Sequence, residues 1–151
     1  MIAQAASRVS SHTDASINER IRLRTQQHLD YHRRHPERIG LRLRELDDEW
    51  DVERMLETGS SALTITGLLL AVSRDRRWLL LSLIVQGFFM QHALQGWCPP
   101  LPVLRRLGFR TQYEIEQERY ALKVLRGDFR HVATEGTGPD RVEEVLDAVT
   151  R

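Results

Sequence analysis

Apolar and charged residues are segregated along this chain, and the segregation sets its predicted elements. Between Trp78 and Trp97 no residue carries a fixed charge. Those twenty residues as a helix measure about 30 Å, the thickness of a hydrocarbon core. A shorter apolar stretch, Ala62–Ser73, precedes them, with Thr64, Thr66 and Gly67 interspersed. Gly59-Ser60-Ser61 punctuates its start, and the polar tetrad Arg74-Asp75-Arg76-Arg77 separates the two stretches.

Upstream, Ile39, Leu43, Leu46 and Trp50 recur at spacings of four, three and four. That places them on one face of a helix over Glu37–Glu57. A basic stretch from Ile17 to His35 predicts another helix, stopped by Pro36, with a broken apolar stripe of Ile17, Ile21, Leu23, Leu29 and Tyr31. Residues 1–15 are small, polar and aperiodic, and are expected to be disordered. Pro99, Pro100 and Pro102 predict an extended segment.

Thr111 and Glu114 fit a capping box, so a helix should run from Gln112 to about Arg126 and end at Gly127. Thr134–Pro139 reads as a linker. The final segment, Asp140–Thr150, spaces Val142, Val145, Leu146 and Val149 as one helical face. No stretch alternates with period two and no internal repeat is present. The predicted fold class is all-α.

The two apolar stretches form a predicted two-helix transmembrane hairpin with amphipathic, charged helical extensions on both sides. Four segments follow: a tail over 1–15, a charged helical segment over 16–58, the hairpin over 59–111, and C-terminal helices over 112–151. Trp78 and Trp97 fit the aromatic belt at the membrane interface, and Arg76 and Arg77 can snorkel beside Trp78. Gln86, Gln91, His92 and Gln95 would need a facing helix, because an unpaired amide in lipid is costly. Gly67 and Ala71 form a small-xxx-small pair that permits close packing.

The first stretch is short. Ser60–Ser73 gives about 21 Å of helix, so it spans only by thinning the bilayer or by recruiting the turn with Met55 and Leu56. Six Arg flank the hairpin (Arg42, Arg44, Arg54, Arg105, Arg106, Arg110) against three in the loop. This favours cytoplasmic termini in a bacterial inner membrane. Met1–Ser16 lacks the apolar run of a signal peptide, so insertion is expected from internal segments. The competing reading is a buried helix pair in a soluble helical-bundle adaptor.

Composition hides this distribution, since the whole chain is 28% charged and only 41% hydrophobic. The net charge of +1 is a cancellation of blocks: +5 over 1–44, −6 over 45–59, +5 over 60–111 and −3 over 112–151. Of the 22 basic residues, 21 are Arg. A single Cys excludes an intramolecular disulfide and a multi-Cys zinc site.

Candidate chemistry is sparse. Cys98, the lone thiol, sits at the predicted membrane boundary and reads either as a reactive sulfur or redox site or as a packed turn residue. The end of a helix disfavours its thiolate, whereas Arg105 and Arg106 would favour it if the Pro-rich turn folds them back. His28, His32 and His35 resemble a metal cluster, but no acidic base lies between them in a metalloprotease pattern; surface histidines on a basic helix are the simpler account. The Arg block (Arg20, Arg22, Arg24, Arg33, Arg34, Arg38, Arg42, Arg44) suits anionic lipid or pairing with the acidic block over 45–57. It carries no recognisable nucleic-acid motif, and no nucleic-acid partner is expected. Asp47, Asp48, Glu49, Asp51 and Glu53 lack the glycine turn and ligand spacing of a calcium loop. Phosphate-loop, dinucleotide and nucleophile-elbow signatures are absent, so no metal or cofactor is expected and no residue set points to a reaction.

The stretch from Ala62 to Thr111 resembles the YgaP-like inner-membrane domain family, small bacterial two-helix membrane domains. In that family the second helix ends in Gly-x-Cys-Pro, followed by Gly-x-x-Thr; Gly96, Cys98, Pro99, Gly108 and Thr111 match. The resemblance covers about a third of the chain. The family's opening Asn-Val-Gly is replaced here by Glu57-Thr58-Gly59-Ser60, and the rhodanese domain that some members carry has no counterpart, so sulfurtransferase activity is not implied. The resemblance and the pattern together imply a non-enzymatic bacterial inner-membrane protein. It is expected to contact membrane lipids, to form a homo-oligomer, and to recruit a cytoplasmic protein through its tails. The alternative is a membrane-anchored thiol protein acting through Cys98.

Overall fold

The computed structural model describes residues 8–130 and 139–150. Every regular element among them is helical: α1 (Ala15–Arg34), α2 (Ile39–Asp48), α3 (Val52–Ser73), α4 (Leu79–Gln95), α5 (Leu101–Leu107), α6 (Gln112–Arg126) and α7 (Pro139–Thr150). The chain divides into two compact units, one of residues 1–23 and 50–115, the other of 24–49 and 116–151.

In the first unit, α3 begins at Asp51, whose side chain accepts from the Arg54 amide at 2.6 Å and so satisfies a donor that the first turn leaves open. The helix predicted over Glu37–Glu57 is therefore two helices, α2 and α3, separated at Glu49–Asp51. The predicted punctuation at Gly59-Ser60-Ser61 is instead helix interior. One interior glycine costs only about 1 kcal/mol relative to alanine, and Ser60 Oγ donates back to the Glu57 carbonyl at 3.1 Å. The 22-residue α3 is about 33 Å long, so Met55 and Leu56 are part of the same helix as the apolar stretch.

Asp75 caps the return: its carboxylate accepts from the Arg77 amide at 2.8 Å, and a short 3-10 turn, Arg76–Trp78, leads into α4. The 17 residues of α4 measure about 26 Å. They stop at Gly96, whose φ of 79° favours a residue without a Cβ.

The segment after Cys98 is not extended, as its prolines predict. Pro100 and Pro102 sit at the start of α5, where the first turn needs no amide donor. Gly108, at φ 94°, ends α5. The predicted capping box is present: the Thr111 amide donates to Glu114 Oε2 at 2.8 Å and the Glu114 amide to Thr111 Oγ1 at 3.2 Å.

The core of this unit gathers Val9, Val52, Leu56, Cys98 and Leu101, with Phe89, Trp97, Leu104 and Phe109 packed against it. Val9 corrects the expected disorder of 1–15: from residue 8 onward the segment is ordered, with a 3-10 turn at Ser10–His12. The reason is tertiary. Val9 finds an apolar seat, and Arg8 Nη1 donates to the Ala93 carbonyl at 2.7 Å near the end of α4. The first seven residues of that expectation lie outside the described residues.

In the second unit, Ile39, Leu43 and Leu46 are the buried face of α2, as their spacing predicts, while Trp50 belongs to the first unit and is exposed. Leu122 of α6 and Ala148 of α7 are also buried. Glu118, buried completely, accepts from Arg42 Nε at 2.8 Å. Apart from Pro139, the first residue of α7, the predicted linker over 134–139 lies outside the described residues.

Candidate functional site: the α3–α4 pair and the Gly-Trp-Cys-Pro turn

Small and polar residues bring α3 and α4 together. A Cβ on Gly67 would meet Ser82 Oγ at 2.4 Å and the Trp78 carbonyl at 3.2 Å, so the close approach exists because position 67 has no side chain. At the same level Ser82 Oγ donates to the Thr64 carbonyl at 3.0 Å, and Gln86 Nε2 donates to Thr64 Oγ1 at 2.7 Å. Ala71 and Gln91 are half-buried. Thr66 and Ser73 satisfy their hydroxyls within α3, on the carbonyls of Ala62 and Leu69. The polar atoms of this apolar pair therefore largely bond to one another or to their own helix.

The outward faces are apolar. Val72 is 91% exposed, Leu83 68% and Leu69 65%, and Ile65, Leu80, Met90 and Leu94 are also exposed. Among the described residues one apolar helical stretch, within Pro36–Ser73, is by length and composition long and apolar enough to cross a membrane; its apolar part is α3, most of which is exposed. His92 is the exception to polar satisfaction: it is buried, and neither ring nitrogen has a hydrogen-bond partner.

Of the residues named for the membrane interface, Trp78 is exposed in the 3-10 turn beside Arg76 and Arg77. Trp97 differs: it is partly buried against the Val9–Leu101 core. The Gly-x-Cys-Pro and Gly-x-x-Thr residues act mainly as chain-reversal devices. Gly96 and Gly108 supply left-handed helix ends, and Thr111 caps α6. A Cβ on Gly96 would also meet the Arg8 carbonyl oxygen at 2.6 Å.

Cys98 is only 2% exposed and lies in the apolar core. Burial pushes its thiol up, opposed only by the Leu101 amide, so it stays protonated near neutral pH. Arg105 does not fold back onto it. Its side chain, fully buried, forks onto Glu114 at 2.6 and 2.7 Å, with further bonds to Asn18 Oδ1 at 3.0 Å, Thr13 Oγ1 at 3.2 Å and the Phe109 carbonyl at 3.0 Å. Burial alone would raise the Glu114 carboxyl, but the Arg105 guanidinium and the Thr111 amide and hydroxyl together hold it below its ordinary range.

The three histidines of the basic helix have separate partners. His28 meets Glu118 at 3.2 Å, with burial pushing its imidazole down; the His32 ring bonds the His28 carbonyl; His35 faces Glu37. No group of three or more His, Cys, Asp or Glu with metal-site geometry occurs among the described residues. Much of the Arg block is paired with acids: Arg22 with Glu19, Arg33 and Arg34 with Asp30, and Arg42 with Glu45, Glu49 and Glu118.

Sequence patterning missed Thr64, Asn18 and Arg8 as partners, since each acts on a residue at least 18 positions away. Compared with protein-family models, curated proteins and solved structures, the chain matches none.

Proposed function

We propose that this chain is an integral bacterial inner-membrane protein of the YgaP-like type. In this reading α3 and α4 form a transmembrane hairpin, both termini are cytoplasmic, and the role is non-enzymatic: self-association or recruitment of a soluble partner through the charged helices. The observation that carries it is the inside-out pattern of the helix pair. Thr64, Ser82 and Gln86 bond across it, while Val72, Leu83 and Leu69 face outward. Lipid removes the hydrophobic drive between helices, so small residues and hydrogen bonds hold such pairs together. Water would favour the opposite arrangement.

The 17-residue α4 is a few ångströms shorter than a hydrocarbon core of about 30 Å, a mismatch that local thinning or the preceding turn accommodates at modest cost. Cys98 has a packing role here, because a buried, protonated thiol is a poor nucleophile.

The test is expression in bacteria, lysis without detergent, and an alkaline carbonate wash of the membranes. Retention in the washed pellet is expected. Quantitative release into the supernatant would refute an integral hairpin.

A further inference from the structure

An apolar groove lies in the first unit, between the N-terminal half of α3, the C-terminal half of α4 and the turn that follows. Its volume is about 370 Å³, and its wall includes Met55, Gly59, Ser60, Phe88, Cys98 and Leu104. That is within the range of about 300–1,000 Å³ common for ligand sites. The α3 part of the wall runs from Met55 to Leu63, about 12 Å along the helix axis.

The groove exists because the helices close tightly only farther along, where Gly67 meets Ser82. The small residues Gly59 and Ser60 leave its α3 wall low. No lining residue is charged. The Ser60 hydroxyl donates to the Glu57 carbonyl of its own helix, and Cys98 is buried as a thiol. A ligand carrying a polar group here would lose its water and find little in exchange. The lining therefore selects hydrocarbon.

From these features we infer that the groove holds one acyl chain of a membrane phospholipid. The inference rests on the membrane reading above. Leu63 and Phe88 line the groove and are half exposed, at 50% and 40%, so its rim is continuous with the outward apolar faces that lipid would cover. A lipid tail from the surrounding leaflet reaches it without crossing a polar surface.

The experiment uses the full chain reconstituted in phosphatidylethanolamine–phosphatidylglycerol vesicles. These contain a phosphatidylcholine bearing a photoactivatable diazirine in one acyl chain, and labelled peptides are mapped by mass spectrometry after illumination. The expected result is labelling concentrated at residues 55–63 and at Val85, Phe88, Phe89 and Leu104, with Met90 and Leu94 of the outer face spared. Gly59→Leu should reduce it roughly tenfold, the loss of one specific site, because the new side chain enters the groove from a position with open space around its Cβ. Gly87→Leu also has open space but lies outside the lining, and should leave the labelling unchanged.

Labelling confined to Leu69, Val72, Leu80 and the rest of the outer faces would overturn the inference, and that map needs no variant. Labelling at 55–63 that Gly59→Leu leaves intact would also overturn it, as would cross-links between two protein copies in place of lipid. Carbonate-resistant protein without groove labelling defeats the groove alone. Carbonate-extracted protein without any labelling defeats the membrane reading as well.

Discussion

Replacing Arg105 with methionine should strongly destabilise the first unit. The side chain is completely buried and its guanidinium makes five hydrogen bonds, two of them to Glu114. Arg105→Met leaves the Glu114 carboxylate without its cation in a largely buried place, and breaking a buried pair from one side costs about 3–5 kcal/mol. With a urea slope of about 1–3 kcal/mol/M, the midpoint should fall by about 2 M.

Arg105→Lys keeps the charge but not the fork, and should recover part of the loss. Arg105→Met combined with Glu114→Gln should cost less than the sum of the two, because neither charge is then stranded. The assay is urea denaturation of the detergent-solubilised full chain, followed by far-ultraviolet circular dichroism.

A pH series gives an independent reading. Glu114 is held below the usual 4.5 in the folded chain, so its stabilisation is complete above that value. It is lost as pH falls through the lower folded value. That acid-side slope should flatten in Arg105→Met. A midpoint shift equivalent to less than about 1 kcal/mol, the worth of an exposed pair, with an unchanged acid slope would refute the reasoning.

Three further outcomes follow from the helix ends and the close approach. Gly108→Ala should lose at least about 1–2 kcal/mol for a left-handed residue with a Cβ; Gly96→Ala should lose more than about 2 kcal/mol, because its Cβ also meets the Arg8 carbonyl, and a smaller loss in urea melts would contradict that contact. Gly67→Ala should destabilise by about 1–3 kcal/mol through overpacking, and adding Ser82→Ala should return part of it, since Ser82 Oγ is the nearest atom; strict additivity in a double-mutant cycle would count against the packing described. Asp51→Ala should cost about 1 kcal/mol through loss of the α3 cap, and Asp51→Asn much less, measured by the same melts.

What the sequence determined by itself is local. Apolar periodicity identified the buried face of α2, because a 3.6-residue repeat leaves Ile39, Leu43 and Leu46 no other common side. The Thr111–Glu114 box and the glycine at 127 marked α6, because capping depends on residues within one turn. The segregation of charge from Trp78 to Trp97 marked α4.

Tertiary structure decided the rest. Whether Gly59-Ser60-Ser61 broke α3 depended on Val52 and Leu56 being seated in a core with Cys98 and Leu101, residues more than 40 positions away. Whether residues 8–14 were ordered depended on Arg8 reaching Ala93. Arg105 read as a flanking positive charge because no short-range pattern shows that Asn18, Thr13 and Glu114 converge on it. Burial turned a charge that looked free to face solvent or lipid into a fixed strut, for burying an arginine is tolerable only where the fold supplies its partners.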